Sequence, residues 1–284
     1  MIIAIFVSTF LKPSREYSQS TITKLPEIVK TTTIFKLGEV PWIKLTILID
    51  NNPNPFNNKL KTAWGLSILI ETPSEMILFD AGPNPYVLKY NSRILGKNLS
   101  LLNFIVISHE HSDHIGGLKY IAEVNSKIPV YIPGDMYYSS KEWINSLGLN
   151  TTDVYVTTKI CNGIAIIGEM YGPPYEQALA INVKGLGLVI IVGCCHPGIE
   201  NIIKKAINEL GVKPYAIIGG FHLAGTPSWK LEAIVKNLID LGIRKVYPLH
   251  CSGEGIRELL KLKYTEFYGE VYVGSVIELK GEST

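Results

Sequence analysis

The stretch Ser108-His109-Glu110-His111-Ser112-Asp113-His114-Ile115-Gly116-Gly117 decides how the rest of the chain is read. It follows a short apolar run, Phe104–Ser108, whose branched residues fit a strand, and it leads into a helical pattern over Gly117–Val124. His109 and His111 are separated by one residue, so on an extended stretch both rings can face one side and grip one ion. Asp113 and His114 open the following turn and can face a second ion. Imidazole and carboxylate donors together suit zinc, manganese or iron. The plain alternative is a group of loop histidines with no shared task, and the density of donors argues against it.

Outward from this run, the placement of the remaining histidines follows one rule. The chain has six. The other three, His196, His222 and His250, come after the apolar runs Leu186–Val192, Tyr215–Ile218 and Lys245–Leu249. In layered α/β proteins ligand sites lie beyond the carboxyl ends of strands, so all six can meet at one site.

Further strands are expected at Lys44–Asp50, Gly65–Glu71, Met76–Phe79, Val130–Ile132, Ile164–Ile167, Ala178–Val183 and Glu270–Tyr272. Helices are expected at Ser140–Leu147, Ile199–Leu210, Ser228–Leu241 and Glu254–Leu262, with Asn91–Asn98 a polar connection. Two hairpins are legible, one through Thr72-Pro73-Ser74-Glu75 and one through Lys184-Gly185. Hairpins in both halves, with helices between single strands, argue for mixed sheets covered by helices in an α/β layered fold.

Composition narrows the class. A chain of 284 residues allows one large domain or two small ones, able to bury about three quarters of its surface. A net charge of +2 leaves no footprint for nonspecific nucleic-acid binding. Four cysteines are too few for a disulfide scaffold. No apolar run is long enough to span a bilayer. The apolar start, Met1–Leu11, lacks basic residues before it and a small-residue cleavage site after it, so it reads as part of the fold. Residues 1–42 are therefore expected to be an extension packed on a catalytic domain of residues 43–284, in a cytoplasmic protein that contacts neither membrane nor nucleic acid.

With Asp80 in Phe79-Asp80-Ala81-Gly82 ahead of it, His109-x-His111-x-Asp113-His114 after a strand resembles the metallo-β-lactamase superfamily, over roughly residues 43–273. A narrower resemblance rests on five ordered stretches: Leu48-Ile49-Asp50-Asn51-Asn52, Glu176-Gln177-Ala178-Leu179, Gly193-Cys194-Cys195-His196-Pro197-Gly198-Ile199, Ile218-Gly219-Gly220-Phe221-His222-Leu223 and Pro248-Leu249-His250-Cys251-Ser252-Gly253. These are similar to the branch named for 7,8-dihydropterin-6-methyl-4-(β-D-ribofuranosyl)aminobenzene-5'-phosphate synthase, of methanopterin-type cofactor synthesis. Many members of that branch are known only as metal-dependent hydrolases.

The resemblance implies an αβ/βα sandwich, two mixed sheets face to face with helices on the outer faces and metals at one edge. It implies two divalent ions, zinc foremost with manganese or iron as alternatives. His109 and His111 would hold the first, with His196 completing it, while Asp113, His114 and His250 would hold the second. The superfamily pattern has a histidine before the second hairpin and a bridging aspartate just after it. This chain has Glu176 and Cys194 near those places, which leaves Cys194, Glu176 and His222 open as further ligands. The implied partner is a phosphorylated small molecule. The implied reaction is condensation of a dihydropterin methyl diphosphate with an aminobenzene ribose phosphate. Hydrolysis of a phosphodiester, lactone or thioester is the alternative, and a non-catalytic metal sensor the second.

The candidate catalytic residues are His222 and Asp80. Asp80 reads either as the carboxylate holding a ligand histidine's other ring nitrogen or as a turn residue before Gly82. His222 reads as ligand, proton donor or substrate contact, and the last two are favoured because the other five histidines fill the ligand positions. The substrate-binding candidates are Asn51 and Asn52 at the end of the first core strand, Cys194 and Gly198 around a helix start that favours an anion, and Phe221. Two inert buried thiols, or a redox pair, are the competing readings of Cys194 and Cys195. Trp64, Tyr137, Tyr138, Trp143, Tyr171 and Trp229 are candidates to stack on a flat ring, with ordinary packing as the alternative.

Overall fold

The computed structural model describes residues 36–281. Most of the expected extension, residues 1–35, lies outside the described residues. The first sheet contains β1 (Trp42–Ile49), β2 (Ser67–Glu71), β3 (Met76–Phe79), β4 (Phe104–Val106), β5 (Pro129–Pro133), β6 (Asn150–Val154) and the late strand β13 (Val276–Lys280). Their order is β13-β1-β2-β3-β4-β5-β6, antiparallel from β13 to β3 and parallel from β3 to β6. The second sheet contains β7 (Thr158–Cys161), β8 (Ile164–Tyr171), β9 (Tyr175–Val183), β10 (Gly187–Val192), β11 (Pro214–Gly220) and β12 (Lys245–Leu249), in the order β12-β11-β10-β9-β8-β7. Here β10 to β12 run parallel and β7 to β10 antiparallel. Both sheets are mixed, as the two hairpins require.

Seven helices cover them: α1 (Pro85–Ile94), α2 (Ser112–Ile115), α3 (Leu118–Val124), α4 (Tyr138–Ser146), α5 (Ile199–Leu210), α6 (Ser228–Asp240) and α7 (Glu254–Lys263). The two-residue period of a strand sends neighbours to opposite faces, and both faces here are apolar. Ile43, Leu45, Ile47, Ile68 and Phe79 meet Ile166, Leu179, Ile181, Val189 and Ile191 in a core between the sheets. The alternate residues Leu69 and Leu78 pack under Leu88, Leu118, Ile121 and Ile144 of α1, α3 and α4. Leu188, Ile190 and Val192 pack under Ile203, Val235 and Leu260 of α5, α6 and α7. Four layers, helix–sheet–sheet–helix, account for the nearly continuous apolar strands. Each fully buried Leu, Ile or Phe side chain contributes about 1.5–3 kcal/mol.

The differences from expectation fall on polar residues. α1 was not expected, and its last four residues, Asn91 to Ile94, take up the first half of the supposed connection Asn91–Asn98. Its start is fixed by Asn84, whose side chain accepts from Val87 N–H at 2.9 Å, followed by Pro85 at the first position. Asn91 reads as a loop residue but is buried, its amide donating to the carbonyls of Leu48 and Lys61 at 2.8 Å each. The edge strand β6 reads Asn-Thr-Thr-Asp-Val and has no apolar run to announce it. Glu270–Tyr272 is not a strand: Tyr272 turns back onto Ser275, and the chain pairs with β1 only from Val276.

Candidate metal centre

The site is assembled from loops that follow β3, β4, β10, β11 and β12. Asp80, just past β3, is wholly buried and accepts from Ser108 N–H and Ser108 Oγ, both at 2.7 Å. Its Oδ2 also lies 2.6 Å from Nδ1 of His114. This holds the His114 ring with Nε2 directed away from the carboxylate. Burial draws His114 down, but the carboxylates of Asp80 and Asp113 outweigh it and raise its pKa. The Gly116-Gly117 pair explains how α2 and α3 come so near: a Cβ on Gly117 would sit 2.0 Å from the Ala81 carbonyl, and one on Gly116 2.0 Å from that of Pro83.

Two donor triads result. Nε2 of His109 lies 3.0 Å from Nδ1 of His111, and one ligand nitrogen each of His109, His111 and His196 fall within 4.8 Å of one another. Asp113, His114 and His250 form the second triad on the same criterion. Burial and the neighbouring imidazoles hold His109 well below the usual histidine range, so its ring is neutral. Asp113 is held at about 2: burial opposes this, while His250 and the charges of His114 and His250 outweigh it. Nε2 of His250 is buried, faces Asp113 Oδ2 at 3.2 Å, and has no hydrogen-bond partner.

The outer ring nitrogens of His109, His196 and His250, like that of His114, are occupied. Nδ1 of His109 lies 2.9 Å from Ser108 Oγ. Glu176, buried at the start of β9, accepts from the backbone N–H of Cys194 and Cys195 through Oε1, at 2.8 and 2.9 Å. Its Oε2 accepts from His196 N–H at 2.8 Å and lies 2.9 Å from His196 Nδ1. With both oxygens committed, Glu176 is a clamp for the Cys194–His196 turn and not a free ligand. His250 is fixed by Asp50, which accepts its backbone N–H at 2.7 Å, and by Asn51, whose Oδ1 lies 3.2 Å from His250 Nδ1.

A cleft of about 380 Å³ opens onto these groups, lined by Trp64, His111, Ser112, Asp113, Cys194, His196, His222, His250 and Cys251. Trp64 is 59% exposed, and its ring lies 4.7 Å from that of His250. His222 is exposed, 4.9 Å ring to ring from His196, and its hydrogen bond to Cys251 raises its pKa. Among the described residues, the non-glycine positions with positive φ are Asp80, Cys195, His222 and His250. Such strain persists only where surrounding contacts enforce it, and it gathers at functional sites.

All six expected metal-site residues are thus brought together, and Cys194 joins them with Sγ 3.3 Å from His114 Nε2. Asp80 holds the outer ring nitrogen of His114, the first of the two readings given it, and does not itself line the cleft. Other expectations need correction. Asn51 and Asn52 do not line the cleft either: Asn51 braces His250, and Asn52 spends its backbone and side-chain donors on Asp50. Phe221 is buried in the layer between the second sheet and α5–α7, while His222, turned to φ 53°, faces the cleft. Gly198 precedes α5 with its N–H donated to Cys195 O at 2.8 Å, outside the cleft lining. Of the six aromatic candidates, Trp64 alone lines this cleft. The clamp of Glu176 was missed; its one signal was a charged residue opening an otherwise apolar strand.

Residues 65–191 match the model of the metallo-beta-lactamase superfamily. The chain is 31% identical to a metal-dependent hydrolase of Caldivirga maquilingensis, over 64% of this chain and 76% of that protein. It is 28% identical to 7,8-dihydropterin-6-methyl-4-(beta-D-ribofuranosyl)-aminobenzene-5'-phosphate synthase of Methanocaldococcus jannaschii, over 86% of this chain and 99% of the relative. The crystal structure of Tm1679, a metal-dependent hydrolase of the β-lactamase superfamily, superposes with a TM-score of 0.68 at 26% identity, covering 84% of this chain and 99% of that one. The chain belongs to the metallo-β-lactamase superfamily and has its αβ/βα fold. No helix of the described residues is long and apolar enough to cross a membrane.

Proposed function

We propose that this protein is a two-metal enzyme that joins a dihydropterin methyl diphosphate to an aminobenzene ribose phosphate, releasing diphosphate. The observation that carries the metal-dependent reading is the convergence of two donor triads on one open cleft. The choice of reaction rests on the similarity to the Methanocaldococcus jannaschii synthase over nearly its whole length.

The residues fit two divalent ions, with zinc the first candidate and manganese or iron the alternatives. The orphaned Nε2 of His250 lacks a partner that such an ion would supply, and the opposite ring nitrogens of His114 and His196 face carboxylates, which fixes tautomer and raises basicity. His109, His111 and His196 would hold one ion, and Asp113, His114 and His250 the other. Bound there, divalent ions supply Lewis acidity and positive charge against a phosphorylated leaving group.

The chain's own residues do the rest. Trp64 presents an exposed indole face at the rim, suited to stacking on a flat pterin ring. His222 faces the cleft, where its ring is placed to deliver a proton to the departing oxygen. The buried clamps at Asp80, Glu176 and Asp50 keep the donors in place while substrate enters.

The test is incubation of metal-loaded protein with the dihydropterin diphosphate and the arylamine, with product followed by mass spectrometry. Product that is absent with His111→Ala supports the reading. Equal background from both proteins, with fast turnover of a simple phosphodiester by the wild type alone, replaces it with the hydrolase reading.

A further inference from the structure

We propose that Cys194, His222 and Cys251 form a third metal site, distinct from the two triads, that takes one soft, thiophilic transition-metal ion. The two sulfurs and one nitrogen of these residues lie within 4.8 Å of one another at the wall of the cleft. Both cysteines are free thiols, and each is buried apart from the edge that lines the cleft. A small ion can therefore reach sulfurs that a bulky reagent cannot.

The backbone is arranged around this cluster. His222 sits at φ 53°, and its N–H donates to Cys251 Sγ at 3.3 Å. Gly220 makes room for that sulfur: a Cβ there would lie 2.7 Å from Cys251 Sγ and 2.4 Å from the carbonyl of Gly193. Cys251 is thereby pressed against the turn that carries Cys194. Two thiolates and an imidazole form a softer donor set than either triad, and such sets select thiophilic ions such as cadmium, copper(I) or zinc. Occupation displaces to solvent the protons on the two sulfurs and any proton on the ligating nitrogen of His222, as two metal–sulfur bonds and one metal–nitrogen bond form, and no electrons move.

The consequence for catalysis rests on the proposed function. An ion held by His222 occupies the ring nitrogen that would face substrate, so occupation of this site shuts the reaction down. Binding itself does not depend on which reaction is catalysed.

The experiment uses protein already loaded with two equivalents of zinc and titrates it with cadmium, reading sulfur-to-metal charge-transfer absorption. Wild type is expected to develop the band and saturate at one further ion per chain. Cys251→Ser is expected to lose it while keeping its two zinc ions, and His222→Gln to bind cadmium at least about tenfold more weakly, since loss of a ligand costs no less than loss of the group that supports one. A band of full intensity in Cys251→Ser that disappears only in Cys194→Ser would overturn the proposal, because Cys194 would then serve His109 and His114 instead. Absence of any band in the wild type would overturn it as well.

Discussion

Oε2 of Glu176 receives both the backbone N–H of His196, at 2.8 Å, and faces its Nδ1 at 2.9 Å. One buried carboxylate thus sets the turn and the tautomer of a histidine that lies twenty residues further along the chain. It stands near the place where the superfamily pattern has a histidine of its own.

Replacing Glu176 by Gln turns one oxygen into an NH2 facing N–H donors. The affinity of the His109–His111–His196 triad for zinc is expected to fall about 10–100-fold, measured by calorimetry on protein first stripped with a chelator. Unchanged affinity would show that the clamp does not orient the ligand.

Asp80→Asn makes the corresponding test on the second triad. Its carboxylate lies against His114 alone among the six histidines. Loss of affinity should be confined to one of the two ions, again about 10–100-fold. An equal loss at both ions would mean that the substitution disturbs the whole loop.

The Gly117–Ala81 approach carries a stability prediction. A methyl group at Gly117 meets backbone that cannot move without shifting α3. Gly117→Ala is expected to cost about 1–3 kcal/mol, read as a lowered melting temperature. Gly255→Ala, at a position in α7 without a positive φ where a Cβ would meet only the flexible end of Leu231 at 3.0 Å, is the comparison for a substitution that meets no backbone.

Protonation in the chelated protein should divide the histidines. His109 is lowered by burial, so the stability it contributes is present above the unfolded value near 6.5 and is lost as pH falls toward its depressed folded value. His114 is raised against burial by Asp80, so its contribution is full below that unfolded value and is lost as pH rises through the folded one. Nitrogen NMR of the side chains at about pH 6.5, the ordinary histidine value, should find His109 neutral and His114 charged. The reverse assignment would contradict the geometry.

The parts of the site legible in the chain are those whose geometry is local. His109, His111, Asp113 and His114 fall within six consecutive positions, so their relation follows from the backbone between them. The strand-end histidines were legible because each apolar run announces the strand it follows. Contacts that cross the fold were not. Glu176 meets His196 through a hairpin, and Asp50 meets His250 across 200 residues. Phe221 was misread because its neighbour His222 faces the cleft, while the left-handed turn at His222, which the sequence does not announce, leaves Phe221 in the apolar layer. Polar residues that fill buried roles, such as Asn91 inside α1, look like loop in a sequence because their partners are distant carbonyls.

Trp64 gives a prediction about substrate. Trp64→Ala should raise KM by roughly three- to tenfold with little change in kcat, as loss of one stacked ring costs about 0.5–1.5 kcal/mol. Trp64→Phe should recover most of it. A fall in kcat at constant KM would assign the indole to shaping His250 instead.

The central claim is that two ions sit on the two triads. An anomalous diffraction map at the zinc edge, from crystals of protein loaded with zinc, addresses it directly. Two peaks are expected in one cleft, one about 2.0–2.1 Å from nitrogens of His109, His111 and His196, the other at that distance from His114 and His250 with Asp113 alongside. A map with no peak at either triad, or with a single peak held by Cys194 and Cys251 alone, would contradict it.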